Sequence, residues 1–145
     1  VAMGWERIAE PDRILSIDPG REKCGVAVVG KEDGVLWKGV VGTAGLAPLV
    51  IDLAAVHDIQ TIVIGDRTSH SAAVDAITSL EARSLTIVPV DEHHSSEEAR
   101  TRYWREHPPA GFWRLVPLGL RVPPVPVDDY VAVILAERYF NKLQK

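Results

Sequence analysis

The stretch Arg13-Ile-Leu-Ser-Ile-Asp18-Pro-Gly20, followed at once by Cys24-Gly-Val-Ala-Val-Val-Gly30, decides the reading of the fold. Two apolar runs separated by a short Pro-Gly turn predict a hairpin over 13–18 and 24–30, and Gly34 after Lys31-Glu-Asp opens a third strand, Val35 to Val41. Asp18 closes the first strand beside the turn. A carboxylate in that place has its oxygens fixed by the strand, while Gly20 and Gly25 allow close approach of another backbone. It is also a residue type that simply caps a turn before Pro-Gly.

Outward from the hairpin the period changes. Leu46 to His57 reads as a helix, Thr61 to Gly65 as a short buried strand, Ser71 to Arg83 as a helix and Leu85 to Val90 as a strand that Pro89 pushes to a sheet edge. Ser95-Ser-Glu-Glu98 predicts a capping box for a helix reaching about His107. Six prolines and two glycines make 108–126 a loop with little regular structure, and Val127 to Lys142 reads as a last helix packed on the sheet through Val131, Ile134 and Leu135. The expected class is α/β: a mixed five-stranded sheet, β-β-β-α-β-α-β-α with the last helix following, and helices on both faces.

The 145 residues, 46% apolar, fit one domain with a real core and are too few for two domains around a cleft. The lone Cys24 allows no internal disulfide, which fits a reducing cytoplasm, and in the second strand it reads as a small buried hydrophobe. No basic-then-apolar leader precedes the first strand. The most apolar stretch, 45–56, is broken by Pro48 and Asp52, so no membrane partner is expected.

Net charge is −4, yet between Arg100 and Arg121 five arginines (Arg100, Arg102, Arg105, Arg114, Arg121) face one acid, Glu106, a local +4 that leaves −8 for the remainder. Trp104, Phe112 and Trp113 interleave with those arginines. Such a segment can pair with phosphates and stack on bases; the same composition also describes a solvated helix face with tryptophans in the core. Helical spacing puts Arg102 beside Arg105 and swings Arg100 away. The candidate phosphate contacts are therefore Arg102, Arg105 and Arg114, with Trp104 or Trp113 for stacking.

The acids fall where elements meet. If strands one, four and five are parallel neighbours, Asp18, Asp66 and Asp91-Glu92 share one sheet edge, and Asp128 joins them if the last helix begins there. Clustered carboxylates repel, and Mg²⁺ or Mn²⁺ suits an all-oxygen set better than Zn²⁺, for which the chain has no Cys/His spacing. Asp128 and Asp129 also occupy a first helical turn, where capping and the dipole favour acids, and Asp129 reads as a surface residue. His93 and His94 read as exposed loop residues, and Arg67 as a partner of phosphate or of Asp66.

Ile17-Asp18-Pro19-Gly20 with Gly25-Val-Ala-Val28 resembles the opening hairpin of RuvC-type Holliday junction resolvases in the RNase H-like superfamily. Asp91-Glu92-His-His-Ser-Ser-Glu-Glu98-Ala99 is similar to the Asp-Glu-Arg-x-Ser/Thr-Thr-x-Glu-Ala segment of the YqgF (RuvX) family, and Val127-Asp128 with Ala132-Val-Ile134 and Tyr139-Phe140 resembles that family's final helix. The resemblance implies an RNase H-like fold, a single nuclease domain over 1–145, and cleavage of phosphodiesters with Mg²⁺ or Mn²⁺. Carried over by position, Asp18, Glu92 and Asp128 would be catalytic and bind metal, with Asp66 or Asp91 as added ligands. The implied partner is a ribosomal RNA precursor or branched DNA, met by a monomer or homodimer.

The chain departs from the family pattern at His93, where a basic residue is usual, at Gly65-Asp66-Arg67, where Gly-Leu-Pro is usual, and in its longer Pro-rich segment. Two other classes stay open: a non-catalytic nucleic-acid-binding module of the same fold, and an ATP-binding protein of the actin/sugar-kinase class, which length disfavours.

Overall fold

The computed structural model describes residues 11–20, 22–66, 75–76, 78–80, 85–91, 93–120, 123 and 127–143. Strands β1 (Arg13–Asp18), β2 (Lys23–Gly30) and β3 (Gly34–Gly42) form an antiparallel meander. Gly34, at φ +76°, turns the chain between β2 and β3 where a side chain would strain the backbone. Helix α1 (Leu46–His57) carries the chain over to β4 (Thr61–Gly65), and β5 (Thr86–Val90) follows. The sheet order is β3-β2-β1-β4-β5, with β4 parallel to β1 and β5 parallel to β4. β1 is thus the central strand, buried on both faces from Ile14 to Ile17, and β5, carrying Pro89, lies at an edge.

Alternation sends the side chains of each strand into two cores. On one face Leu15, Ile17, Val26, Val28, Ile62 and Ile64 pack against α1. On the other, Ile14, Ala27, Val29 and Val63 pack against helices α2 (Ser95–Glu106) and α3 (Asp128–Leu143). Cys24 is buried on the α1 face, as read. Ser16 is a fully buried polar residue on the α3 face, and its hydroxyl donates to the Ala132 carbonyl, so the burial leaves no unmet hydroxyl and ties α3 across the central strand.

Two local expectations are adjusted. The capping box at Ser95 does not form: His94 at φ 61° precedes the helix without a side-chain cap, and Glu98 instead accepts from Arg138 on α3 at 2.7 Å. The Pro-rich stretch contains two 3₁₀ turns, Gly111–Leu115 and Leu118–Leu120, where little regular structure was expected. Of the helix read over 71–83, residues 75–76 and 78–80 are described and are helical. Among the described residues no helix is long and apolar enough to cross a membrane.

Candidate carboxylate site and its basic flank

Asp18 ends β1 with Gly25 of β2 as its cross-strand partner. A Cβ built on Gly25 would collide with the backbone carbonyl group of Asp128 and come within 2.9 Å of the Asp129 nitrogen. Only a glycine lets the first turn of α3 settle on the sheet at this point. Gly25 is therefore the seat of the first turn of α3, directly across the strand pair from Asp18.

Two lysines flank the pair. Lys23, at the start of β2, approaches Asp128 Oδ2 at 3.8 Å, and Lys38, on β3, approaches Asp129 Oδ2 at 3.1 Å. The Lys38 ammonium also lies 4.4 Å from the centre of the Tyr130 ring. Burial works against its charge, but the hydrogen bond it donates to Asp129 and the nearby negative groups outweigh that and hold its pKa above the ordinary lysine value. Burial, chiefly, pushes the Tyr130 phenol up as well, and its hydroxyl donates to Glu106 Oε1 at 3.3 Å. Asp129, read as a surface acid, is the more enclosed of the two: its side chain is 15% exposed against 32% for Asp128. Its other oxygen accepts from the Tyr130 backbone at 2.9 Å. Asp129 is thus a clamp on the first turn of α3, and Asp128 is the carboxylate left more open.

The other acids lie along the same strand ends but further out. Asp66 follows Gly65 and donates its N–H to the Val90 carbonyl at 3.0 Å; Asp91 follows Val90, and its Oδ1 accepts from the His93 backbone at 3.0 Å. The Asp91 carbonyl accepts from Arg138 at 2.8 Å. Arg138 is ten residues down α3 from Asp128, roughly 15 Å at the helical rise. Asp18 and the Asp128 backbone thus both adjoin Gly25, while Asp91 is tied to Arg138, further along α3. Glu92 and Arg67 lie outside the described residues. Among the described residues no group of three His, Cys, Asp or Glu side chains is placed to hold a metal ion.

The basic flank divides as well. Arg102 does not face solvent as a free phosphate contact: its Nη1 donates to both oxygens of Glu137 at 2.7 Å and its Nε to Glu106 at 3.3 Å. Burial opposes that charge, but the two carboxylates more than offset it and raise the guanidinium pKa. Trp104 is buried in the α3 core, edge-on to Tyr103 with ring centres 5.2 Å apart, so its ring is not offered to a base. Both expectations are corrected for one reason: these residues lie on the face of α2 that packs on α3. Arg105 and Arg114 are exposed, as expected; the side chain of Trp113 lies outside the described residues. Lys23 and Lys38 were missed by sequence reasoning. The usable signal for Lys38 was a lone cation in the apolar β3 run Val35 to Val41.

The fold belongs to a recognisable class, the RNase H-like arrangement of a five-stranded mixed sheet with an acid ending the central strand. The chain is similar to the structure of Thermus thermophilus RuvC in complex with a Holliday junction substrate: TM-score 0.62, 15% identity, 91% of this chain and 96% of that one covered. A second Thermus thermophilus RuvC structure gives TM-score 0.56 and 16% identity over the same shares of the two chains. At these identities the likeness is one of fold. No family model matches the chain, and no curated protein matches it in sequence.

Proposed function

We propose that this chain is a metal-dependent nuclease acting on structured nucleic acid, either branched DNA or a ribosomal RNA precursor, working in the cytoplasm as one nuclease domain of the YqgF type. The observation that carries the reading is that Asp18 ends the central strand opposite Gly25, and the Asp128 backbone sits on that same glycine. Nothing in the packing of a stable core requires acids at this point, and carboxylates held close to one another favour a cation that offsets their charge. The fold's likeness to a RuvC bound to a Holliday junction supports the same substrate class.

The donors are all oxygen and suit a hard divalent cation, Mg²⁺ or Mn²⁺, held by Asp18 and Asp128 with Glu92 as the third carboxylate and Asp66 nearest among the outer acids. Such ions activate a water and stabilise the leaving oxygen in phosphodiester cleavage. The chain's own contribution is placement. Gly25 sets how closely the first turn of α3 settles on β2, Lys38 and Asp129 lock that turn, and Lys23, half exposed beside Asp128, is available to a scissile phosphate.

The second reading is a non-catalytic binding module of the same fold. Cleavage separates the two. Purified protein is incubated with a four-way DNA junction and with precursor ribosomal RNA, with Mn²⁺, Mg²⁺ or chelator, alongside Asp18→Asn. Metal-dependent cleavage that Asp18→Asn loses supports the nuclease; tight binding without cleavage by the wild type leaves the binding module.

A further inference from the structure

Four of the eight large apolar side chains that stand exposed among the described residues fall in one short stretch: Phe112 (72%), Leu115 (87%), Leu118 (45%) and Leu120 (70%). The stretch is built. Gly111, at φ +60°, turns the chain into the first 3₁₀ turn, and the second, closed by the Leu120 N–H on the Pro117 carbonyl at 2.9 Å, rests against α2. In a 3₁₀ turn residues three apart eclipse, so Phe112 and Leu115 stand side by side. Exposed apolar groups so concentrated mark a binding surface.

Charge says what it binds. Between Glu106 and Asp128 the chain has no acidic residue, and it carries Arg114 and Arg121 there. Arg105 and Arg114 are exposed, and the ion pairs of α2 engage Arg102 instead. A ligand complementary to apolar side chains set among unneutralised arginines is a polyanion that also offers flat apolar faces. Nucleic acid does so where its bases are out of the duplex. The stretch is also anchored near the carboxylates, because Glu106, five residues before Gly111, meets Tyr130 in the first turn of α3 at 3.3 Å.

We propose that Gly111–Leu120 is a wedge: Phe112 and Leu115 take up unpaired bases while Arg105 and Arg114 hold the flanking phosphates. The inference rests on the nuclease reading above and gives it a substrate class, nucleic acid that is locally unpaired next to the cleavage point.

Binding, which needs no cleavage, tests it. A four-way DNA junction with 2-aminopurine at the branch and a linear duplex of the same strand length are titrated with wild type, with Phe112→Ser/Leu115→Ser and with Arg114→Gln. The wedge predicts that wild type brightens 2-aminopurine and prefers the junction. The double variant should lose about tenfold on the junction, the scale of one base-stacking contact, with no loss on the duplex and an unchanged salt slope. Arg114→Gln should weaken both and flatten the log–log salt slope by about 0.9. Because these side chains are exposed, thermal melting should match wild type; if the double variant melts early, Leu115→Ser alone is used. Unchanged junction affinity in a folded variant overturns the wedge while leaving the nuclease reading intact, as does an equal loss on both DNAs. So does a wild type that dimerises through this stretch, with the variant monomeric and binding DNA normally. No binding of either DNA by wild type overturns the wedge and counts against the nuclease reading together.

Discussion

The two ends of α3 are both charged and are used in opposite ways. Toward the C-terminal end two charges are spent on neighbouring elements: Glu137 takes Arg102, and Arg138 takes Glu98 and the Asp91 carbonyl, at 2.7–2.8 Å. At the N-terminal end Asp129 is held at 3.1 Å by Lys38, but Asp128 has only a loose approach from Lys23 at 3.8 Å. A helix N-terminus already favours negative charge, so two acids there need little help to be tolerated. The contrast shows where charge fastens the helix and where it is left for a ligand, and each substitution below attacks one side of it.

The largest effect is expected from Asp18→Asn. It keeps shape and removes the charge that ends the central strand opposite Gly25, so cleavage should fall by at least about 10²–10³-fold, the scale of losing one preorganised electrostatic group. The melting temperature without metal should hold or rise, because a like-charge repulsion is relieved. Full activity in protein free of contaminating nucleases would remove Asp18 from the site.

Gly25→Ala comes next and strikes the packing that makes the ligand end possible. The added methyl meets the Asp128 backbone, which cannot rotate away as a side chain would. Overpacking of this kind should cost about 3 kcal/mol in urea melts, and activity should fall more than Gly20→Ala makes it fall. A variant with native stability would mean that α3 can shift along the sheet, and that the two carboxylates need no such close fit.

Arg102→Gln tests the fastened end. Removing one partner of a largely surface pair should cost about 1 kcal/mol or less, and the salt dependence of nucleic-acid binding should not change, because Arg102 is already spent on Glu137 and Glu106. A flattened salt slope would return Arg102 to the phosphate-binding set.

Much of this could be read from the chain, and the misses share a cause. The hairpin around Asp18 was legible because turn residues and a period of two both mark it, and Pro89 named its own strand as an edge. What was not legible is which partner a charged side chain takes. Glu98 has the spacing of a capping box, but Arg138, 40 residues on, takes it instead. Arg102 and Trp104 carry the composition of a nucleic-acid surface, but the buried positions Ser95, Ala99 and Tyr103, four apart, mark that side of α2 as the one facing α3. Tertiary contacts settle such contests, and local pattern cannot see them. Family resemblance points to Asp128, while its seat on Gly25 emerges only when β2 and α3 are seen in contact.

The smallest expected effect concerns the clamp itself and is read against pH. The folded-state pKa of Lys38 is raised, so its ammonium stabilises the fold; that contribution is complete below the unfolded lysine pKa and is lost as pH climbs through the higher folded value. Tyr130 is raised too, so its neutral phenol favours the fold in the same sense and loses that advantage on the alkaline side. The groups facing Lys38 are Asp129, Tyr130 and Glu106, and with the ammonium gone the carboxylates are left to repel the phenolate. The window is therefore above about pH 10. Stability from urea melts at pH 8 to 11 should fall more steeply for wild type than for Lys38→Met, with the two curves converging at the top of the range. The variant should begin lower at pH 8 by no more than about 1 kcal/mol, as suits a partly exposed pair. Parallel curves across the whole range would mean that Lys38 is a bystander, and that Asp129 holds the first turn of α3 through the Tyr130 backbone alone.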